Sequence, residues 1–137
     1  MTDRENLVEL THRYATAIDG HQYSLLTEVF TDDAQVDYGE VGQWTGGTEV
    51  AAFMEAAHVM AAHTLHRMTN QVIDIDGDTA TMRTYVDALI LLKDGSGANP
   101  VGFYDDCAVR TSDGWRIARR AYTSVRSSRF RRHDRHR

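Results

Sequence analysis

The sequence has one cysteine, Cys107, and one proline, Pro100, in 137 residues. A lone thiol closes no disulfide within the chain, so the fold must rest on its apolar core, and a reducing cytoplasm is the expected compartment. No apolar run approaches the ~20 residues that cross a bilayer. The opening MTDRENLVEL is polar and acidic, unlike a secretory leader. A membrane association is therefore not expected. There is no glycine-rich loop of GxGxxG or GxxxxGK form, and no GxSxG elbow for a serine nucleophile. His58, His63 and His66 are clustered, but their spacing matches neither HExxH nor a Cys/His finger, so no metal is expected.

What is present is an ordinary globular composition, 42% hydrophobic and 26% charged, of a length that suits one domain. The net charge of -5 is unevenly spread. Residues Arg126 to Arg137 hold six arginines and one aspartate, which leaves nine basic against nineteen acidic residues in the rest. So acidic a body repels phosphates, so nucleic acid is not an expected partner. A domain over 1–125 and a basic, flexible tail over 126–137 are expected. The tail reads as a solvated terminus, or as an arm for an acidic surface.

Apolar residues Leu7, Leu10, Tyr14, Ala17 and Ile18 recur at helical spacing and predict a helix over Glu5–Asp19. Gly20 is a natural stop for it. A short helix is predicted over Ser24–Phe30, a strand over Ala34–Tyr38, and a third helix from Thr48 to about His63. Beyond Leu65 the pattern becomes extended and is punctuated by Asp76-Gly77, Asp94-Gly95 and Asp113-Gly114, each suited to the positive φ angles of a tight hairpin. Strands over about 65–75, 79–92, 101–112 and 115–125 follow. Helices followed by a meander make an α+β fold. A strongly curved sheet around the helices would leave a pocket. Met82, Val86, Ala88, Ile90 and Leu92 form a second apolar face on one strand, which predicts burial against another subunit.

The residues that carry chemistry stand out against this pattern. Asp19 sits in the last helical turn, where the helix dipole disfavours a negative charge. It is either an exposed end residue or a half-buried carboxylate. Tyr14 on the apolar stripe and Tyr38 at a strand end are core tyrosines or phenols aimed into a cavity. Trp44 and Phe53 are core aromatics or pocket lining. His66 opens a strand and becomes a base only if a carboxylate orients it. Asp87 and Asp105 interrupt apolar strand faces; Asp105 shares a face with Phe103, Cys107 and Val109. An acid there needs a partner or a cavity.

Several stretches resemble a known family. They are Arg13-Tyr-Ala-Thr-Ala-Ile-Asp-Gly20, Phe30-Thr-Asp-Asp-Ala34, Val36-Asp-Tyr-Gly39, His66-Arg-Met-Thr-Asn70, Gly102-Phe-Tyr-Asp105 and Asp113-Gly-Trp-Arg-Ile117. They are similar to SnoaL-like domains of the nuclear-transport-factor-2-like superfamily, over residues 5 to 122. The nearest likeness is to the branch with scytalone dehydratase, hexachlorocyclohexane dehydrochlorinase and bile acid 7α-dehydratase. The resemblance implies a cone with N-terminal helices packed in a strongly curved, mainly antiparallel sheet. It implies a catalytic pair at Asp19 and His66, assisted by Tyr14 and Tyr38; Asp105, Asp87, Trp44 and Phe53 are expected around the substrate from the residue pattern itself. Asp105 and Ser124 depart from residues that the branch uses in its pockets. The implied activity is a cofactor-free dehydratase-type lyase on a small hydrophobic polyketide-, terpenoid- or steroid-like substrate. An isomerase or cyclase using the same pair is the alternative, as is a non-catalytic binding or partner subunit. The resemblance also implies a homo-oligomer, a trimer or a dimer.

Overall fold

The structure, a computed structural model, describes residues 1–132. Helix α1 spans Asp3–Asp19. Its start is fixed by a capping box, in which the Thr2 hydroxyl accepts from the Glu5 amide while the Glu5 carboxylate accepts from the Thr2 amide. Leu7, Leu10, Tyr14, Ala17 and Ile18 are buried, so the stripe seen in the sequence is the packed face. A 3₁₀ segment at Tyr23–Glu28 leads directly into strand β1, Phe30–Asp37. The short predicted α-helix is thus a tighter turn, and Phe30 belongs to the strand.

A three-residue strand β2, Gln43–Thr45, precedes helix α2, Gly46–Ala57. This helix starts before Thr48 and stops before His63. It can start there because Gly46 adopts φ +81, with Asp32 O only 2.3 Å from where a Cβ would stand. Gly46→Ala should therefore lower unfolding stability by at least ~1–2 kcal/mol through left-handed strain alone, measured by urea denaturation. Unchanged stability would mean that α2 is not pinned at this point.

Four long strands complete the chain: β3 Ala61–Asp76, β4 Thr79–Leu92, β5 Gly97–Thr111 and β6 Gly114–Phe130. The three Asp-Gly pairs lie at their hairpins, with Gly77, Gly95 and Gly114 all at positive φ. The sheet order is β2-β1-β6-β5-β4-β3, curved and unclosed, antiparallel except where β1 runs parallel to β6. The architecture is the expected α+β cone. Bulges interrupt β3 between Thr69 and Val72, where Asn70 takes φ 56, and β5/β6 between Val101 and Gly102. Such irregularities bend strands and bring the sheet round the helices.

Two expectations about boundaries and faces change. Residues 126–130 are the end of β6, paired from Val101↔Arg126 to Gly97↔Phe130, so the edge expected at 125 falls inside a strand. The last part of the Arg/His-rich tail, 133–137, lies outside the described residues. Met82, Val86 and Ala88 do not wait for another subunit. They are buried within this chain, because β4 turns that face toward the chain's own core.

Candidate active site

Helix α1 ends against the start of β3, and this junction creates the central arrangement. The His66 ring nitrogen Nδ1 lies 2.7 Å from Asp19 Oδ1. The His66 backbone amide donates to Asp19 Oδ2 at 2.8 Å, and the Thr64 hydroxyl donates to Oδ1 at 2.8 Å. An ionised carboxylate only accepts, so Nδ1 carries a proton, and in the neutral ring Nε2 is the nitrogen with the lone pair. Burial opposes ionisation of Asp19, but the hydrogen bonds from the His66 ring, the His66 amide and Thr64 outweigh it and hold the carboxyl below its usual pKa. The side chains are only 11% and 21% exposed, so neither points into bulk water.

The depressed Asp19 pKa fixes the sign of a pH effect. A carboxylate easier to ionise in the folded state contributes stability above the unfolded pKa, near ~3.9, and that contribution is lost as pH falls through the folded value. Asp19→Asn should therefore be less stable than wild type at pH ~7, with the gap narrowing below pH ~4. Guanidinium unfolding at both pH values measures this; a gap independent of pH would show that ionised Asp19 contributes nothing.

Tyr14 meets the His66 ring edge-on at 6.5 Å between centroids. Its hydroxyl is 2.6 Å from the Tyr38 hydroxyl. Both phenols are buried, and burial raises the pKa of each, well above the ordinary value for Tyr14. Tyr104 packs against both rings, at 5.7 and 6.0 Å. Trp44 stands edge-on to Tyr38 and lies 4.1 Å from Phe53, so these two aromatics back the tyrosine cluster. The four proton-handling candidates Asp19, His66, Tyr14 and Tyr38 are thus brought together.

The cavity against the pair is an open pocket. It measures 690 Å³, opens to solvent, and is lined by His12, Ala15, Thr16, Asp19, His66 and Met68 among others. Tyr14 and Tyr38 lie behind it, their hydroxyls in mutual contact. Trp44 lines a separate 550 Å³ groove with Val36 and Gln43.

Asp87 and Asp105 are not at this site, which corrects the expectation for both. Asp105 forms a two-pronged ion pair with Arg83, at 2.7 and 2.9 Å, and Asp87 lies 3.4 Å from Arg67, both on the outer face of the sheet. The physical reason is strand phase. On β5 the inward residues are Gly102, Tyr104, Asp106 and Ala108, one position out of step with the face chosen from the sequence. The histidines that might have suggested a metal are separated in role. His58 donates from Nδ1 to Met54 O at the end of α2, His63 is exposed, and His66 serves Asp19.

The residue pair that sequence reasoning missed is Asp106–Arg120. Arg120 is fully buried, bound at 2.8 and 2.9 Å to a carboxylate that is itself buried. Its third nitrogen, Nη1, reaches Tyr38 Oη at 3.4 Å. Burial works against the charge, but Asp106 holds the Arg120 pKa well above its ordinary value. The only signal was a two-aspartate run on a strand facing an Arg-Arg run, and alternation alone does not say which member points inward.

The sequence model of the SnoaL-like domain matches residues 1–121. The uncharacterized protein Rv2910c of Mycobacterium tuberculosis is 32% identical over 126 residues, covering 90% of this chain and 86% of its own. The crystal structure of Kfla4162 from Kribbella flavida superposes with a TM-score of 0.85 at 33% identity, over 92% of this chain and 93% of that one. The hexachlorocyclohexane dehydrochlorinase LinA-type3 from Novosphingobium barchaimii superposes with a TM-score of 0.82 at 15% identity, over 93% and 89%, a likeness of fold. The chain belongs to the SnoaL-like family.

Proposed function

We propose that the protein is a cofactor-free lyase of the dehydratase type that uses His66 as its base. The observation that carries this reading is the Asp19 carboxylate gripping His66 at both ring and backbone. That grip fixes the imidazole's tautomer and leaves Nε2 free to take a proton beside a carbonyl. Electron density released from the broken C–H bond moves into the carbonyl oxygen, and expulsion of a β-hydroxyl restores the carbonyl and forms the alkene. The imidazolium, stabilised by Asp19, returns its proton to the departing hydroxyl. Tyr14, backed by its hydroxyl contact with Tyr38, supplies the hydrogen bond to the developing oxyanion. A hydrophobic ring ketone suits an apolar cavity wall that includes Ala15 and Met68.

The test is a panel of cyclic β-hydroxy ketones, and the matching ketones without the hydroxyl, incubated with the full chain in deuterated water. Deuterium entering next to the carbonyl reports proton abstraction by NMR, and a product lighter by one water reports dehydration. Deuterium uptake without mass loss across all hydroxy ketones would replace the lyase by an isomerase. Exchange that persists in His66→Ala would remove the base.

A further inference from the structure

Arg120 is the largest side chain that the fold hides completely. A buried Asp–Arg pair is a poor device for stability alone, since well-packed apolar residues in its place are often neutral or better. Its surroundings give it another use. Nε and Nη2 are taken by Asp106, and the guanidinium carbon lies 3.9 Å from the Tyr104 ring centre and 4.4 Å from that of Tyr14. That leaves Nη1, which is aimed at the Tyr38 oxygen.

We propose that Arg120, anchored by Asp106, is a positioning residue that orders Tyr38 and Tyr14 into a one-way hydrogen-bond relay running from the cation through Tyr38 to Tyr14. This rests on the acid/base reading above, in which the Tyr14 hydroxyl meets the oxyanion.

The direction follows from donor and acceptor chemistry. A guanidinium has no acceptor, so Nη1–H donates and the Tyr38 oxygen accepts. One proton must lie in the 2.6 Å contact between the two phenols. The phenol facing the cation is the better donor, so Tyr38 O–H donates to the Tyr14 oxygen, and successive hydrogen bonds polarise one another. The Tyr14 proton is then turned away from Tyr38, where the Tyr104 hydroxyl is the protein group it can meet. It belongs to the ring that meets His66 edge-on. Without Arg120, either phenol would be free to donate to the other, and in one of the two arrangements the Tyr14 proton would point at Tyr38.

The experiment is carbon NMR of the full chain labelled at tyrosine Cζ, with Tyr14 and Tyr38 assigned through Tyr14→Phe and Tyr38→Phe. Two replacements of the cation are compared: Arg120→Lys, and the paired Arg120→Met with Asp106→Leu, which leaves no unpaired charge. The second keeps the measurement interpretable if Arg120→Lys is poorly folded. The relay predicts that the Tyr38 and Tyr14 signals both move toward an unperturbed phenol in the paired variant. In a Tyr38→Phe background the same replacement should leave Tyr14 with only a residual shift. His66→Ala should not disturb either signal. Deuterium exchange into a responsive ketone should fall by roughly tenfold or more in the paired variant, less than the ~10²–10³-fold expected for losing a whole oxyanion donor.

A Tyr14 signal that does not move in the folded paired variant would overturn the relay. So would a Tyr14 shift of equal size with and without Tyr38, since stacking of Arg120 on the ring would then explain it. Signals that behave as described in a protein that exchanges no ketone would keep the relay and discard the lyase reading.

Discussion

If His66 is the base proposed, exchanging it for alanine should lower proton abstraction from a responsive ketone by ~10²–10⁴-fold, the usual contribution of a positioned general base. The fold survives, because His66 contributes to the Asp19 contact through its backbone amide as well as its ring, and alanine retains the amide. Asp19→Asn should act more subtly. The asparagine carbonyl can still accept from Nδ1, but its NH₂ group can also present a donor and favour the other tautomer. The charge that stabilises the imidazolium disappears as well. A fall of about the same order is expected for Asp19→Asn, and the double variant should lose little more than His66→Ala alone, because the two residues act as one unit. Exchange rates followed by NMR in deuterated buffer measure all three. Losses that multiply would show that Asp19 and His66 act independently, contrary to the single hydrogen-bonded unit at 2.7 Å.

The second large effect concerns stability. Asp106→Ala leaves a guanidinium with no exposure and no counter-charge, and breaking a buried pair in this way costs about 3–5 kcal/mol. For a chain of this size that corresponds to a fall in melting temperature of roughly 10 °C or more. Replacing Arg83 or Asp105 on the outer face should change stability by no more than ~1 kcal/mol, although that pair is as short, because water screens it. Thermal unfolding of Asp106→Ala beside Asp105→Ala makes the comparison direct. Equal melting temperatures would mean that the inward pair is not the buried one. The two aspartates are adjacent in sequence, so the contrast isolates burial from chemistry.

The same two aspartates mark where sequence reasoning stops. Strand alternation separates neighbours onto opposite faces, but both faces of β5 carry apolar residues: Phe103, Cys107 and Val109 on one, Tyr104 and Ala108 on the other. Which one turns inward depends on register with β4 and β6, where Arg83 faces Asp105 and Arg120 faces Asp106. Register is a tertiary property. A bulge between Cys107 and Ala108 further shifts the pairing with β6. The apolar face of β4 was misassigned for the same reason, since Met82, Val86 and Ala88 meet the chain's own core.

Local chemistry was sufficient wherever a short stretch carries its own physics. The amphipathic stripe of α1, its stop at Gly20, and the three Asp-Gly hairpins all follow from periodicity and from backbone angles that few residues accept. Those elements set the order helix, then meander, and so the α+β class. Asp19 was conspicuous because its charge faces the wrong end of a helix dipole, and the partner that resolves this conflict is 47 positions away. Only the curved sheet decides that the partner is His66, that Tyr14 and Tyr38 share a proton, and that a cation with no access to water sits behind them. Distances between residues far apart in the chain are settled by packing, and packing depends on every side chain at once.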